Sequence, residues 1–428
     1  MVRMKSLMAG AAMALVLVSA PSLGWADEAH HGAVGASVDE LVAIAKSMNP
    51  EVQVMALEAD AASARIEGAG SLMDPKVTFL VEGWQRDFPS YAPRSSTGGT
   101  DKTIRITQEL PFWGKRDLKR EIAEAGAKKA QVLKRAVEND LVAKVKVAYA
   151  EYHQAHLAND LAKNLRARID TLAKLAGARY GQGLGRQQDV TRAEVEKGML
   201  GTEIARMEAE RRKARVRINR LLNRDLAAPL IEAPTPRPIP PKEALDLAAL
   251  TDRAQSSNPE LVAQEATIQG ADRTVALAEK SWYPDFEVGV GAMRREGRFE
   301  NYEAMVTMNI PIQWGLRDSE IGEAKAMSAA ARQRRKAREI EVGNEVQEAY
   351  FNLDAARQVE KLLRENALPQ AEIGFQAAAK SYELGRTEFL DVLMAEQQLW
   401  KTNIDLLKVQ LDQQMALAEI EKLIGGEL

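Results

Sequence analysis

The chain has 428 residues, with 58 Lys and Arg against 61 Asp and Glu, and no cysteine. The missing cysteines exclude disulfides, a thiolate metal site, a cysteine nucleophile and a lipid-bearing N-terminal cysteine. The slightly acidic balance argues against general nucleic-acid affinity, and 28% charged residues with only 5% aromatics suit long solvated helices better than one large core.

Residues 1–26 read as a secretory signal. Arg3 and Lys5 are its positive start, Leu7 to Val18 its short apolar core, and Gly24-Trp25-Ala26 puts small residues at the cleavage positions. Without this leader the net charge is −5. No other stretch approaches the roughly 18 apolar residues of a spanning helix.

A helix start follows at Asn49-Pro50-Glu51: a capping side chain, a proline suited to the first turn, and an acid at the positive end of the dipole. The same word recurs at Asn258-Pro259-Glu260, and each copy has a further proline 25 residues after its own, Pro75 and Pro284. The repetition continues. "ELPFWGKRD" (Glu109–Asp117) answers "NIPIQWGLRD" (Asn309–Asp318), and "YGQGLGRQQDVTRAE" (Tyr180–Glu194) answers "YELGRTEFLDVLMAE" (Tyr382–Glu396). The sequence is therefore a tandem duplication: a first repeat over 27–227, a stiff Pro-rich linker over 228–241 and a second repeat over 242–428. The offset falls from 209 to 201, which puts roughly eight extra residues of the first copy in the Pro, Ser and Gly loop at 85–101.

Each repeat contains a strand hairpin, about 76–109 and about 285–310, and then a helical hairpin, about 115–222 and about 316–424. From Gly114 to Gly177 there is no strong breaker, enough for a helix of about 90 Å. Within it Leu141, Val145, Ala148, Tyr152 and Ala155, then Leu165, Ile169, Leu172 and Ala176, step as a coiled-coil seam. Gly181, Gly183 and Gly185 reverse the chain, and Pro369 predicts a kink in the second long helix. The strands carry apolar residues on alternate positions: Val77, Phe79, Val81; Ile104, Ile106; Phe286, Val288, Val290, Ala292; Ala304, Val306, Met308, Ile310. Their length of about nine residues crosses a bilayer when tilted. Trp84, Trp113, Trp282 and Trp314 sit at the strand ends, as in the aromatic girdles of outer-membrane barrels. Four strands cannot close a barrel, and open edges are not tolerated in lipid. Either the sheet lies on a soluble domain, or several chains pool their strands; the secretory signal and the long helices favour pooling.

The duplicated Asn-Pro-Glu starts, the two strand-to-helix joints and the two hairpin tips together resemble the TolC family of outer-membrane efflux proteins, over essentially all of the chain after the leader. The resemblance implies a mainly α protein with transmembrane β: a homotrimer in which four strands per chain build one 12-stranded outer-membrane barrel. The barrel is continued by a long α-helical coiled-coil tunnel across the periplasm. It implies a passive duct fed by an inner-membrane pump, of the RND type, through a periplasmic adaptor (membrane fusion) protein, with no cofactor and no nucleic-acid partner. Carried over from the family's tips, the adaptor-contact residues are Tyr180, Gly183, Tyr382, Gly385, Arg386 and Thr387. Asp189 and Asp391 match the periplasmic aperture, while each also suits capping of the returning helix. Some members read "DVLD" there; this chain reads "DVLM", with Met394 in place of the second acid.

The form of Gln108–Arg116 is similar to the heavy-metal, CzcC-like branch, which implies export of heavy-metal cations; a multidrug or type I secretion conduit of the same fold is the alternative. His153 and His156 stand one turn apart on a helix and His30-His31 follow the leader, but no third ligand is in sight, so no metal site is assigned. "GQGLG" follows a helix and lacks the Lys-Ser/Thr ending of a phosphate loop, and no catalytic constellation is present. In other classes, a periplasmic adaptor would carry a single hairpin, and a soluble coiled-coil scaffold would not partition into the membrane.

Overall fold

Asn49 and Asn258 each end one helix and begin the next. In the computed structural model, which describes residues 33–82, 101–231, 236–295 and 298–428, Asn49 lies between α1 (Val38–Met48) and α2 (Pro50–Gly70). Its Oδ1 accepts from the Glu51 amide at 2.9 Å, and its Nδ2 donates to the carbonyl of Leu221 at 3.0 Å. Asn258 does the same between α5 (Leu247–Ser257) and α6 (Pro259–Glu279): Oδ1 accepts from Glu260 at 2.9 Å and Nδ2 donates to the Leu423 carbonyl at 3.0 Å. One side chain thus starts a helix and ties it to the far end of its own repeat. Asn258→Ala should cost about 0.5–2 kcal/mol for the lost cap and about 1–3 kcal/mol for the stranded Leu423 carbonyl. Faster amide exchange in both α6 and the last turn before Leu423 would register it; unchanged exchange in the latter would refute the tie. The leader, His30, His31, Trp84, residues 85–100 and residues 232–235 of the linker lie outside the described residues.

The helical hairpins are α3 (Lys115–Gly181) with α4 (Gln187–Leu221), and α7 (Trp314–Leu362) and α8 (Leu368–Glu383) with α9 (Phe389–Leu423). The 67 residues of α3 give a rod of about 100 Å. Every seam residue expected on α3 is buried. The interruption expected at Pro369 takes the form of a π-helical turn, Leu363–Ala367, just before the proline. Proline has no amide hydrogen for the preceding turn, and a wider turn accommodates the break. Asn223 and Gly425, both at positive φ, close α4 and α9 with matching turns.

Three cores follow. Leu41, Val145, Tyr149, Ile218 and Leu222 hold the first repeat together, and Leu250, Val342, Val346, Leu353 and Ile420 hold the second. The third joins both hairpins toward their tips, with Leu165 and Ile169 of α3, Ala193 and Leu200 of α4, Phe375 of α8 and Phe389 and Val392 of α9. The linker is pinned at both ends: Leu230 bridges to Val34, and Arg237 pairs with Glu421 at 2.8 Å.

At the other end of the rods, β1 (Lys76–Glu82), β2 (Asp101–Leu110), β3 (Phe286–Arg295) and β4 (Arg298–Met308) form one antiparallel sheet in sequence order. The central pairing, β2 with β3, joins the two repeats.

Candidate functional site: an open apolar sheet and two adjoining hairpin tips

The register aligns the apolar positions of all four strands on one face. Val77 stands opposite Ile106, Ile106 opposite Val290, and Val290 opposite Ala304; Phe79, Ile104, Ala292 and Tyr302 form the next row. Phe79, Val290, Tyr302 and Val306 are all more than 60% exposed, so this face has no cover among the described residues. The other face is polar, with Arg105 bound to Glu303 at 2.7 Å and Arg295 bound to Asp101 at 2.6 Å. It is tightly packed at Gly289, where an added Cβ would lie 2.7 Å from the Thr107 methyl. Among the described residues, β1 and β4 have no outer neighbour, so both edges of the sheet are open. None of the described helices is long and apolar enough to cross a membrane.

Sheet and helices meet at a built corner. The Lys115 ammonium bonds the Asp285 carboxylate at 2.8 Å and the Tyr283 carbonyl at 2.9 Å, while Asp285 also accepts from the Phe112 amide at 2.8 Å. Phe112 stacks on Tyr283 with centroids 4.5 Å apart. Trp113, Trp282 and Trp314 all belong to this one end of the sheet, with Trp113 and Trp314 strongly exposed. They form one belt, not two; Trp84 is outside the described residues. The opposite end instead presents Phe299, with Tyr302 further along the same strand.

At the far end, both tips are built alike. Gly183 and Gly385 take positive φ, +72° and +70°. The Gly183 amide donates to the Tyr180 carbonyl and the Leu184 amide to Arg179; Gly385 donates to Tyr382 and Arg386 to Ser381. This paired bonding is the Schellman closure, for which glycine is favoured. Tyr180, Gly183, Gly385, Arg386 and Thr387 are exposed, whereas Tyr382 is buried edge-on to Phe389 at 5.3 Å.

Asp189 and Asp391 do not occupy the N-cap position of the returning helices. The chain turns three residues earlier, at Arg186 and Glu388, and both aspartates sit in the first turn. Asp391 bonds back to the Glu388 amide at 3.2 Å, completing a capping box. Asp189 is buried beside Tyr382, and burial and the Asp189 charge raise the phenol's pKa.

The two tips are joined by a residue the sequence did not flag. Arg179 Nη1 donates to the carbonyls of Tyr382 at 3.0 Å and Glu383 at 2.8 Å, and Nη2 to Leu184 at 3.2 Å. Its guanidinium lies 5.3 Å over the Tyr382 ring. Arg186 and Glu388 add a second link at 2.7 Å. Arg179 has no counterpart in the second copy, where Ser381 occupies the same place.

The histidines are elsewhere. His156 meets Asp160 at 3.3 Å, and burial with the neighbouring His156 lowers the pKa of His153. Among the described residues there is no group of three or more His, Asp or Glu placed to hold a metal.

A lipid-compatible sheet on a rod of paired helices defines the class: one chain's share of an outer-membrane barrel with its tunnel. The chain belongs to the outer membrane efflux protein family, whose pattern it matches over residues 41–224 and 250–426. It is thus an outer-membrane efflux channel with its helices in the periplasm, and not an enzyme. It is 25% identical to the cobalt-zinc-cadmium resistance protein CzcC of Cupriavidus metallidurans, covering 91% of this chain and 90% of that protein. Its fold superposes on CusC with a TM-score of 0.79 at 16% identity, covering 92% of this chain and 93% of that one. The outer membrane protein VceC of Vibrio cholerae gives 0.79 at 17% identity, with 92% and 97% covered.

Proposed function

We propose that three copies of the chain close one 12-stranded barrel and a continuous helical tunnel, and that this duct exports heavy-metal cations handed to it by an RND-type inner-membrane pump through a periplasmic adaptor. The observation that carries the assembly is the sheet: an apolar band with both edges open among the described residues. An open edge in lipid strands backbone groups at several kcal/mol each, and pairing β4 of one copy with β1 of the next removes both edges. Trp113, Trp282 and Trp314 then mark the periplasmic membrane interface, with Trp84 expected at the other. The tips, through Tyr180, Gly183, Gly385, Arg386 and Thr387, face the adaptor, with Tyr382 supporting them from beneath; Asp189 and Asp391 border the aperture. The metal assignment is supported by the Gln108–Arg116 form and by the similarity to CzcC. Repeats over 27–227 and 242–428 with a linker at 228–241 supply the pseudo-sixfold order of such a tube.

The test is a deletion strain challenged with panels of divalent metals and of drugs and dyes, with and without the intact gene. Selective metal sensitivity is expected. Drug sensitivity alone would assign a multidrug duct instead.

Gly385→Val separates the tips from the barrel. Its left-handed φ costs a branched residue about 1–2 kcal/mol or more, and its Cβ would meet the Arg179 guanidinium at 2.8 Å. Export should be lost while the membrane content of the protein stays normal. Full resistance in this variant would refute the tip assignment.

A further inference from the structure

The duplication places Glu194 and Glu396 at the same step of the two tip motifs, each five residues beyond its aspartate. Their surroundings are opposite. Glu194 is exposed and pairs with Lys197 at 3.4 Å. Glu396 is only 2% exposed, and its carboxyl has no hydrogen-bond partner among the described residues. It stands in the core shared by the two hairpins, with Leu165 of α3 and Leu399 of α9 close by.

Each helix packed there brings its own charges. Glu196 of α4 is half-buried, and its charge bears on Glu396. Among the described residues Arg168 of α3 is the one cation acting on Glu396, and it is already paired with Glu372 of α8 at 3.5 Å and lies 5.5 Å over the Phe375 ring. Ionising Glu396 therefore sets three carboxylates against one guanidinium in an apolar seam. A cavity of about 360 Å³ borders Glu396, Arg168, Glu372 and Trp400 and gives protons a route. Its wall includes Leu368 and Pro369, directly after the π turn, where the helix backbone is already irregular.

We propose that Glu396 is a proton-controlled wedge: neutral, it lets the α3–α4 and α8–α9 hairpins pack together, and ionised, it drives them apart above the tips. The site lies about 7.5 Å along the helix from Asp391, so the movement reaches the aperture if the aperture reading given above holds. Burial first, and then the Glu196 charge, push the Glu396 carboxyl up to about 7, against a weaker pull from Arg168. The folded seam thus holds this proton more tightly than the unfolded chain does. Its packing is firmest in acid and weakens as pH rises from the ordinary carboxylate range toward 7.

The absence of cysteine allows clean labelling of Leu184→Cys and Leu384→Cys, at two exposed tip leucines. Spin-label distances are measured between pH 5 and 8.5 in full-length assemblies in which only one chain is labelled, alongside single-channel conductance. The tip distance should increase with a midpoint near pH 7. Glu396→Gln should hold it at the acid value throughout, and Glu196→Gln should move the midpoint to lower pH. A distance that ignores pH, or that still shifts in Glu396→Gln, overturns the wedge. A distance change without a conductance change upholds the wedge and removes the aperture reading.

Discussion

Val290→Arg should strip the protein from the outer membrane. Val290 is mid-strand on β3, between Ile106 and Ala304, and 64% exposed on the apolar face. An arginine facing lipid near the bilayer midplane costs about 2–4 kcal/mol, and a trimer would bear that cost in each of its chains. The control is Thr307→Arg on the opposite face, where its partner across the ladder is Glu287 and the next is Glu109. That cation meets acids and water instead of acyl chains. The measure is the heat-modifiable oligomer band in the membrane fraction, expected to be severely reduced for Val290→Arg and near normal for Thr307→Arg. The reverse order would mean that the apolar face lines the lumen.

Much of this geometry was legible because it is periodic. A two-residue alternation fixes which strand residues share a face, and a four-three step fixes the α3 seam; both patterns are local, and both agree with the structure. Asn49 and Asn258 were legible as helix starts for the same reason. Their second bonds, to Leu221 and Leu423, were not, since the partners lie 172 and 165 residues away. Asp189 shows where local patterns mislead, while Asp391 still serves the cap from the third helical position. Acids suit both the cap and the first turn, and only the path of the preceding loop decides between them. Glu396 shows a deeper limit. It shares its motif with Glu194, so nothing in the sequence separates a buried wedge from a solvated surface acid. The difference comes from packing against Leu165 and Arg168, supplied by the other repeat.

The second large effect is expected at the seam where the repeats are locked together. Lys146 of α3 is only 4% exposed; it bonds Glu421 of α9 at 2.9 Å and Glu427 at 2.8 Å. Glu421, 8% exposed, also holds Arg237 of the linker at 2.8 Å. The three groups are not equivalent. Glu421→Leu leaves Arg237 without its carboxylate and Lys146 with only the exposed Glu427, and breaking a buried pair in this way costs about 3–5 kcal/mol. Lys146→Met removes one cation but leaves Glu421 paired with Arg237, so its cost should be clearly smaller. Thermal loss of helical circular dichroism from the purified protein should therefore rank Glu421→Leu below Lys146→Met, and both below the parent. Equal midpoints for the two variants would show that Glu421 is not the hub. If the ranking holds, one carboxylate near the end of the second repeat fixes three segments at once: a helix of the first repeat, the linker, and its own helix. That would explain how a duplicated chain with a stiff connector keeps its two halves in a single register along the tunnel.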